Sequence, residues 1–303
     1  MNRCVFLITF IGMTLTASTV SRASDWLVSP EWLNEPPEDV EVVVIDVSFD
    51  PEDYAEGHIP GAAFVHWNED LSDEKEAFYR VPTKEQFESI MSRIGATRET
   101  QVVFYDNRHH RFAIRGVWVA HYYGHEKAAV LEGGLEAWLA AGFSLETIER
   151  EVAPTDYKVQ EVNPRMNVDA DYVENNLRNT DVVFVDSRPW KMFTGETPGI
   201  MIDKGQAVAR IGHLPGALSL PWKENLTEPN AFLDVEALEK LYKGRGVDPD
   251  KVTIFYCNEG LHAAFNWFVT TKLLGIENVK IYEGSMGEWA SDAARPLVSG
   301  VGF

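Results

Sequence analysis

What most constrains this chain is that its features occur twice, in the same order. Val42-Val-Val-Ile-Asp46 is an apolar run ending in Asp and is followed by Gly57-His-Ile-Pro-Gly-Ala62; Val182-Val-Phe-Val-Asp186 is followed by Gly212-His-Leu-Pro-Gly-Ala217. Val102-Val-Phe-Tyr-Asp106 then matches Val252-Thr-Ile-Phe-Tyr-Cys257, each ahead of a helical stretch and a glycine, Gly124 or Gly275. Ala128 to Gly134 with Trp138 matches Val279 to Ser285 with Trp289. A chain-long repeat means two units of one fold. Short β-branched runs buried on both faces, alternating with helical segments, predict an α/β unit with a mainly parallel sheet flanked by helices in each half. Residues 149–165 are polar, carry Pro154 and Pro164 and lack a helical period, so they read as a linker between domains at 26–148 and 166–300.

Residues 1–23 are expected to be a secretory signal peptide rather than part of the fold. Arg3 gives a positive start, Val5 to Val20 carries no charge, and Ser21-Arg22-Ala23 presents small residues for cleavage before Ser24. The apolar run falls short of the ~20 residues a spanning helix needs. The expectation is a periplasmic or secreted protein with no membrane association after cleavage. Its formal charge of −20 becomes more negative once Arg3 and Arg22 are removed, which argues against nucleic acid or an anionic membrane as partner.

Cleavage also removes Cys4 and leaves Cys257 alone, so no internal disulfide is expected and the remaining thiol is either inert or reactive. Its position favours reactivity. Cys257 stands where the apolar strand Val252–Tyr256 gives way to the helical stretch from Ala263, and the N–H groups and partial positive charge of a helix start favour a thiolate. The repeated Gly-His-x-Pro-Gly-Ala strings are open to two readings, a catalytic role for His58 and His213 or a tight turn. Occurrence in both halves, when the cysteine occurs in one, favours the turn.

In this combination the chain resembles the rhodanese superfamily in its tandem two-domain sulfurtransferase form. The resemblance spans both Asp-ending strands, both Gly-His-x-Pro-Gly-Ala turns, the strand–Cys–loop–helix and the closing Glu283-Gly-Ser-Met-Gly-Glu-Trp289. It implies two rhodanese-like domains, the first inactive, with Asp106 in the place of the cysteine, and the second catalytic. Cys257 is then expected to take the outer sulfur of a donor (thiosulfate, 3-mercaptopyruvate or a polysulfide) as a persulfide and yield it to cyanide, a small thiol or a protein thiol. Asn258, Glu259, Gly260, Leu261 and His262 would form the loop whose N–H groups hold the negative charge, with no cofactor and no metal. Phosphatase chemistry would require a longer loop with an arginine six positions after the cysteine; Ala263 stands there.

Several positions depart from the family pattern. Thiosulfate-using members resemble Cys-Arg-Lys-Gly-Val-Thr and mercaptopyruvate-using members Cys-Gly-Ser-Gly-Val-Thr, where this chain has Cys257-Asn-Glu-Gly-Leu-His262. Glu259 either repels an anionic donor or faces solvent. His262 either supports the thiolate or packs against the sheet. A donor-binding arginine expected six residues after Asp186 is Met192 here, leaving Lys191 or Arg188 as substitutes, with Arg188 also suited to an ion pair inside the domain. Two functions stand open: an exported sulfurtransferase, and a rhodanese-like carrier or binding module with little turnover of its own.

Overall fold

A computed structural model describes residues 26–73, 78, 80–202, 204–227 and 230–300. The segment read as a signal peptide, with Cys4, lies outside the described residues. Each half is built on a five-stranded, all-parallel sheet. In the first, β1 (Leu27–Val28), β2 (Val42–Asp46), β3 (Ala63–Phe64), β4 (Gln101–Tyr105) and β5 (Ala128–Leu131) are ordered β1-β5-β4-β2-β3. In the second, β6 (Asn167–Val168), β7 (Val182–Asp186), β10 (Leu218–Ser219), β11 (Val252–Tyr256) and β12 (Val279–Tyr282) are ordered β10-β7-β11-β12-β6, the same arrangement. Parallel pairing requires crossovers. In the first half these include α1 (Pro30–Asn34), α2 (Pro51–Glu56), α3 (Lys84–Arg93) and α4 (Arg111–Tyr122), and α5 (Gly134–Ala140) follows the last strand. In the second they include α6 (Ala170–Asn176), α7 (Trp190–Thr194), α8 (Val235–Gly244) and α9 (Leu261–Phe268), and α10 (Ser285–Trp289) follows the last strand. One feature breaks the symmetry: an antiparallel hairpin, β8 (Ile200–Met201) with β9 (Gln206–Ala207), present only in the second half among the described residues.

The Gly-His turns are structural. His58 is buried and stacks on Tyr54 with ring centres 3.8 Å apart, its Nδ1 2.9 Å from Tyr54 O; His213 stacks on Phe193 at 3.6 Å, its Nδ1 2.8 Å from Phe193 O. The turn following each histidine is fixed to the central strand, since Ile59 N donates to Tyr105 Oη at 3.0 Å and Leu214 N to Tyr256 Oη at 3.2 Å. A chain repeat thus becomes a repeated hydrogen-bond plan.

The domains meet along α4 and α9. Phe112, Val117 and Trp118 of α4 and Phe265, Trp267 and Phe268 of α9 belong to one buried cluster continuous across both halves. Within it, Arg115 of α4 pairs with Glu283 at the end of β12, both out of contact with water, and Glu283 also accepts from Asn167 Nδ2 at 2.9 Å. The segment 149–165 is not a free tether. Val159 N donates to Glu88 Oε1 and Asn163 N to Tyr122 O, and Tyr157 and Val159 are buried against the first domain.

Candidate active site

Cys257 follows the last residue of β11, a strand enclosed by β7 and β12, and only 1% of it is exposed. The chain must turn at once from strand to helix, which Gly260 permits with φ of +87°. A Cβ there would lie 3.1 to 3.3 Å from Glu283, so both the backbone angle and the space call for glycine. The turn aims its N–H groups inward. Gly260 N donates to Cys257 Sγ at 3.1 Å, and the N–H groups of Glu259, His262 and Ala263 are also directed at the sulfur. Below, Cys257 N donates to Ser285 Oγ at 3.0 Å, and Ser285 Oγ donates to Tyr282 O at 2.7 Å.

The first domain shows what such a cradle holds. Asp106 Oδ1 accepts from Arg108 N at 2.7 Å and His110 N at 3.0 Å; Oδ2 accepts from Phe112 N at 2.8 Å and Ala113 N at 2.9 Å. The same loop, one residue longer and capped by His110 with φ of +64°, closes on its own carboxylate. Backbone donors converging on one point form an anion site in both halves. In the second half the occupant is a sulfur atom.

Sequence placement at a helix start pointed to a thiolate, and here the structure corrects it. Burial pushes the Cys257 thiol up, and the N–H groups that lower it recover only part of that cost. Glu259 adds to the upward shift. It does not face solvent: it is buried, and its Oε1 accepts from Ile202 N at 2.9 Å, linking the loop to the β8–β9 segment. Asn258 does the same from the other side, with Nδ2 donating to Ile200 O at 2.9 Å and lying 3.8 Å from Met192 Sδ. Leu261 is buried in the shared core.

His262 contributes its N–H to the cradle, whereas its ring stacks on Trp222 with centres 5.1 Å apart. Burial, with Arg111 next in effect, depresses its pKa to about 3, so the ring is neutral and cannot serve as a cation beside the sulfur. Of the two cations considered for donor binding, Arg188 is buried in a two-point pair with Asp186, Nε to Oδ1 at 2.9 Å and Nη2 to Oδ2 at 2.6 Å, and also donates to Gly212 O. That geometry serves the domain and commits Nε and Nη2, while Nη1 is buried without a hydrogen-bond partner among the described residues. Lys191 is exposed on α7.

A cation that sequence reasoning passed over is Arg111, the first residue of α4 in the other domain. Its guanidinium lies 5.5 Å from the centre of the Trp222 ring, which also stacks on His262. A signal existed: a cation in the first helical turn opposes the helix dipole and calls for a separate reason. Among the described residues no group of His, Cys, Asp and Glu could hold a metal ion, and no helix is long and apolar enough to cross a membrane.

Comparisons with known proteins agree with this architecture. The rhodanese-like domain model matches residues 29–141 and again 169–292. A Saccharopolyspora erythraea protein named "Putative thiosulfate sulfurtransferase" is 32% identical over 271 residues, 89% of this chain and 95% of its own length. The sulfur carrier protein TtuD of Thermus thermophilus is 30% identical over 277 residues, 90% of this chain and 96% of its own. Among solved structures, wild-type EanB superposes with a TM-score of 0.80 at 23% identity, covering 93% of this chain and 70% of that one, a likeness of fold. Two copies of the domain, matched nearly end to end by full-length sulfurtransferase and sulfur-carrier relatives, place the chain in the rhodanese family as a tandem-domain member of the sulfurtransferase group.

Proposed function

We propose that this protein is an exported sulfurtransferase that carries sulfane sulfur as a persulfide on Cys257. The observation carrying the proposal is the cradle of backbone N–H groups around Sγ, the same device that in the first domain holds a carboxylate. A persulfide is an anion at the position where those donors converge. The step needs no cofactor: Cys257 Sγ attacks the outer sulfur of the donor, the new S–S bond forms, and the donor's S–S bond breaks with its electron pair on the departing sulfur. A thiol or cyanide acceptor then reverses the exchange. Thiosulfate and polysulfides fit this step; with 3-mercaptopyruvate the bond broken is C–S, and its electron pair leaves with the enolate of pyruvate, which is then protonated. Export rests on the charge-free run after Arg3 and the Ser21-Arg22-Ala23 sequence.

The test is mass spectrometry of the protein after incubation with each donor. A species about 32 Da heavier, one sulfur atom, is expected on Cys257, to be absent from Cys257→Ser and to disappear on adding cyanide. Absence of the adduct with every donor would refute the proposal. A carrier role is the second reading, supported by the near-complete enclosure of Sγ and by the likeness to TtuD. It predicts an adduct that persists with cyanide and leaves only to a protein thiol.

A further inference from the structure

We propose that Arg111, contributed by the first domain, binds the anionic end of the sulfur donor at the Cys257 site. This rests on the sulfurtransferase reading and names the charge of its substrate. Arg111 is half-buried, and among the described residues it forms no ion pair; its one hydrogen bond there is from Nε to Arg108 O at 3.1 Å, with the remaining N–H groups uncommitted. Its guanidinium lies over two rings, 5.3 Å from the centre of Phe112 and 5.5 Å from that of Trp222. Such stacking fixes the plane of the fork while leaving its edge available.

The two carboxylates whose charge it feels are both engaged elsewhere, Asp106 by four backbone N–H groups and Glu259 by Ile202 N. Keeping a cation half-buried without a partner is costly unless a ligand supplies the anion. The location is apt. Trp222 neighbours both Arg111 and His262, and the N–H of His262 points at Sγ. A small molecule against the Trp222 wall can therefore offer an oxyanion to Arg111 and a sulfur to Cys257. The class implied is a sulfane-sulfur donor ending in a carboxylate or sulfur oxyanion. In a protein with formal charge −20, such a donor needs a local cation to approach at all.

The experiment compares two alkyl persulfides that share the reacting sulfur and differ at the other end, 3-mercaptopropionate persulfide and cysteamine persulfide. With either, Sγ takes the terminal sulfur and the alkyl thiolate leaves, with no net oxidation. For Arg111→Gln the KM for the carboxylate donor is expected to rise about tenfold, the usual worth of one charge-assisted hydrogen bond, with kcat little altered. The KM for the ammonium donor is expected to stay or fall, and Arg111→Lys to recover part of the loss. Equal changes for both donors, or none for either, would overturn the assignment, since a merely structural arginine does not distinguish the two charges. Failure of the unaltered protein to load sulfur from either donor would instead remove the sulfurtransferase reading itself.

Discussion

At Cys257 two effects of similar kind act in opposite directions. The strand-to-helix turn brings N–H groups to Sγ, while the depth of β11 in the sheet removes the water that would stabilise a thiolate. Burial prevails, so the resting group is a thiol, ionised when a donor or higher pH supplies the reason. The sign is clear: for an acid whose pKa is raised, the neutral form persists to higher pH and the reactive form grows as pH rises. Iodoacetamide labelling of Cys257 is therefore expected to be slow at pH 7 and to accelerate through and beyond pH 9, the ordinary value for this thiol. A labelling rate already at its plateau by pH 7 would show that the N–H cradle outweighs burial. The position of this cysteine was legible in the sequence, because an apolar run followed by a helical period marks a strand-to-helix turn. Its ionisation was not, because the balance depends on how completely the neighbouring strands and the β8–β9 segment exclude water.

Among the elements, the loop and α9 are coupled in length. The loop of the second domain is one residue shorter than its counterpart after Asp106, and the register is restored downstream by a π-helical turn at Val269–Leu273. There Thr270 Oγ1 donates to Asn266 O at 2.6 Å and Thr271 Oγ1 to Trp267 O at 2.8 Å, satisfying carbonyls that the wider turn leaves. The repeat, the parallel order of strands and the two Gly-His turns were readable because each rests on local pattern. The hairpin over the site, the Arg115–Glu283 pair and the placement of Arg111 were not, since each joins segments distant in sequence. Gly260 is the element's weak point. Gly260→Ala must hold φ near +87° with its Cβ against Glu283, and a loss of about 2 kcal/mol in denaturant stability is expected, with slower persulfide loading. Gly61→Ala has a similar φ of +76° but nothing within 4 Å, so it should cost less and leave loading unchanged. Equal losses in the two variants, with loading intact in both, would mean that the packing against Glu283 does not govern the turn.

For the whole molecule, the shared core that joins the domains also encloses histidines in their neutral form. Burial pulls His262 to about 3 and His125 to about 4, takes His121 well below its ordinary 6.5, and lowers His110 and His213. A group whose folded pKa is depressed gives stability that is present above its unfolded value and is lost as pH falls towards the folded one. The window is thus from about pH 6.5 downward. At pH 5 each ring that stays neutral in the fold while protonating in the unfolded chain costs about 2 kcal/mol. His262 and His125 alone then remove a large share of the 5 to 15 kcal/mol typical of a folded protein, about 4 kcal/mol together. Asp46, whose carboxyl burial pushes up, works in the opposite direction, gaining stability as pH falls through its raised folded value. The melting temperature is accordingly expected to be steady near pH 7 and to fall steeply between pH 6.5 and 5. His121 lies between Trp26 of the first domain and Trp267 of α9, so loss of the interface between domains should accompany that fall, visible as a change in tryptophan emission. A melting temperature unchanged between pH 7 and 5 would mean that water reaches these rings, and that the two domains are less closely joined than the α4–α9 core implies.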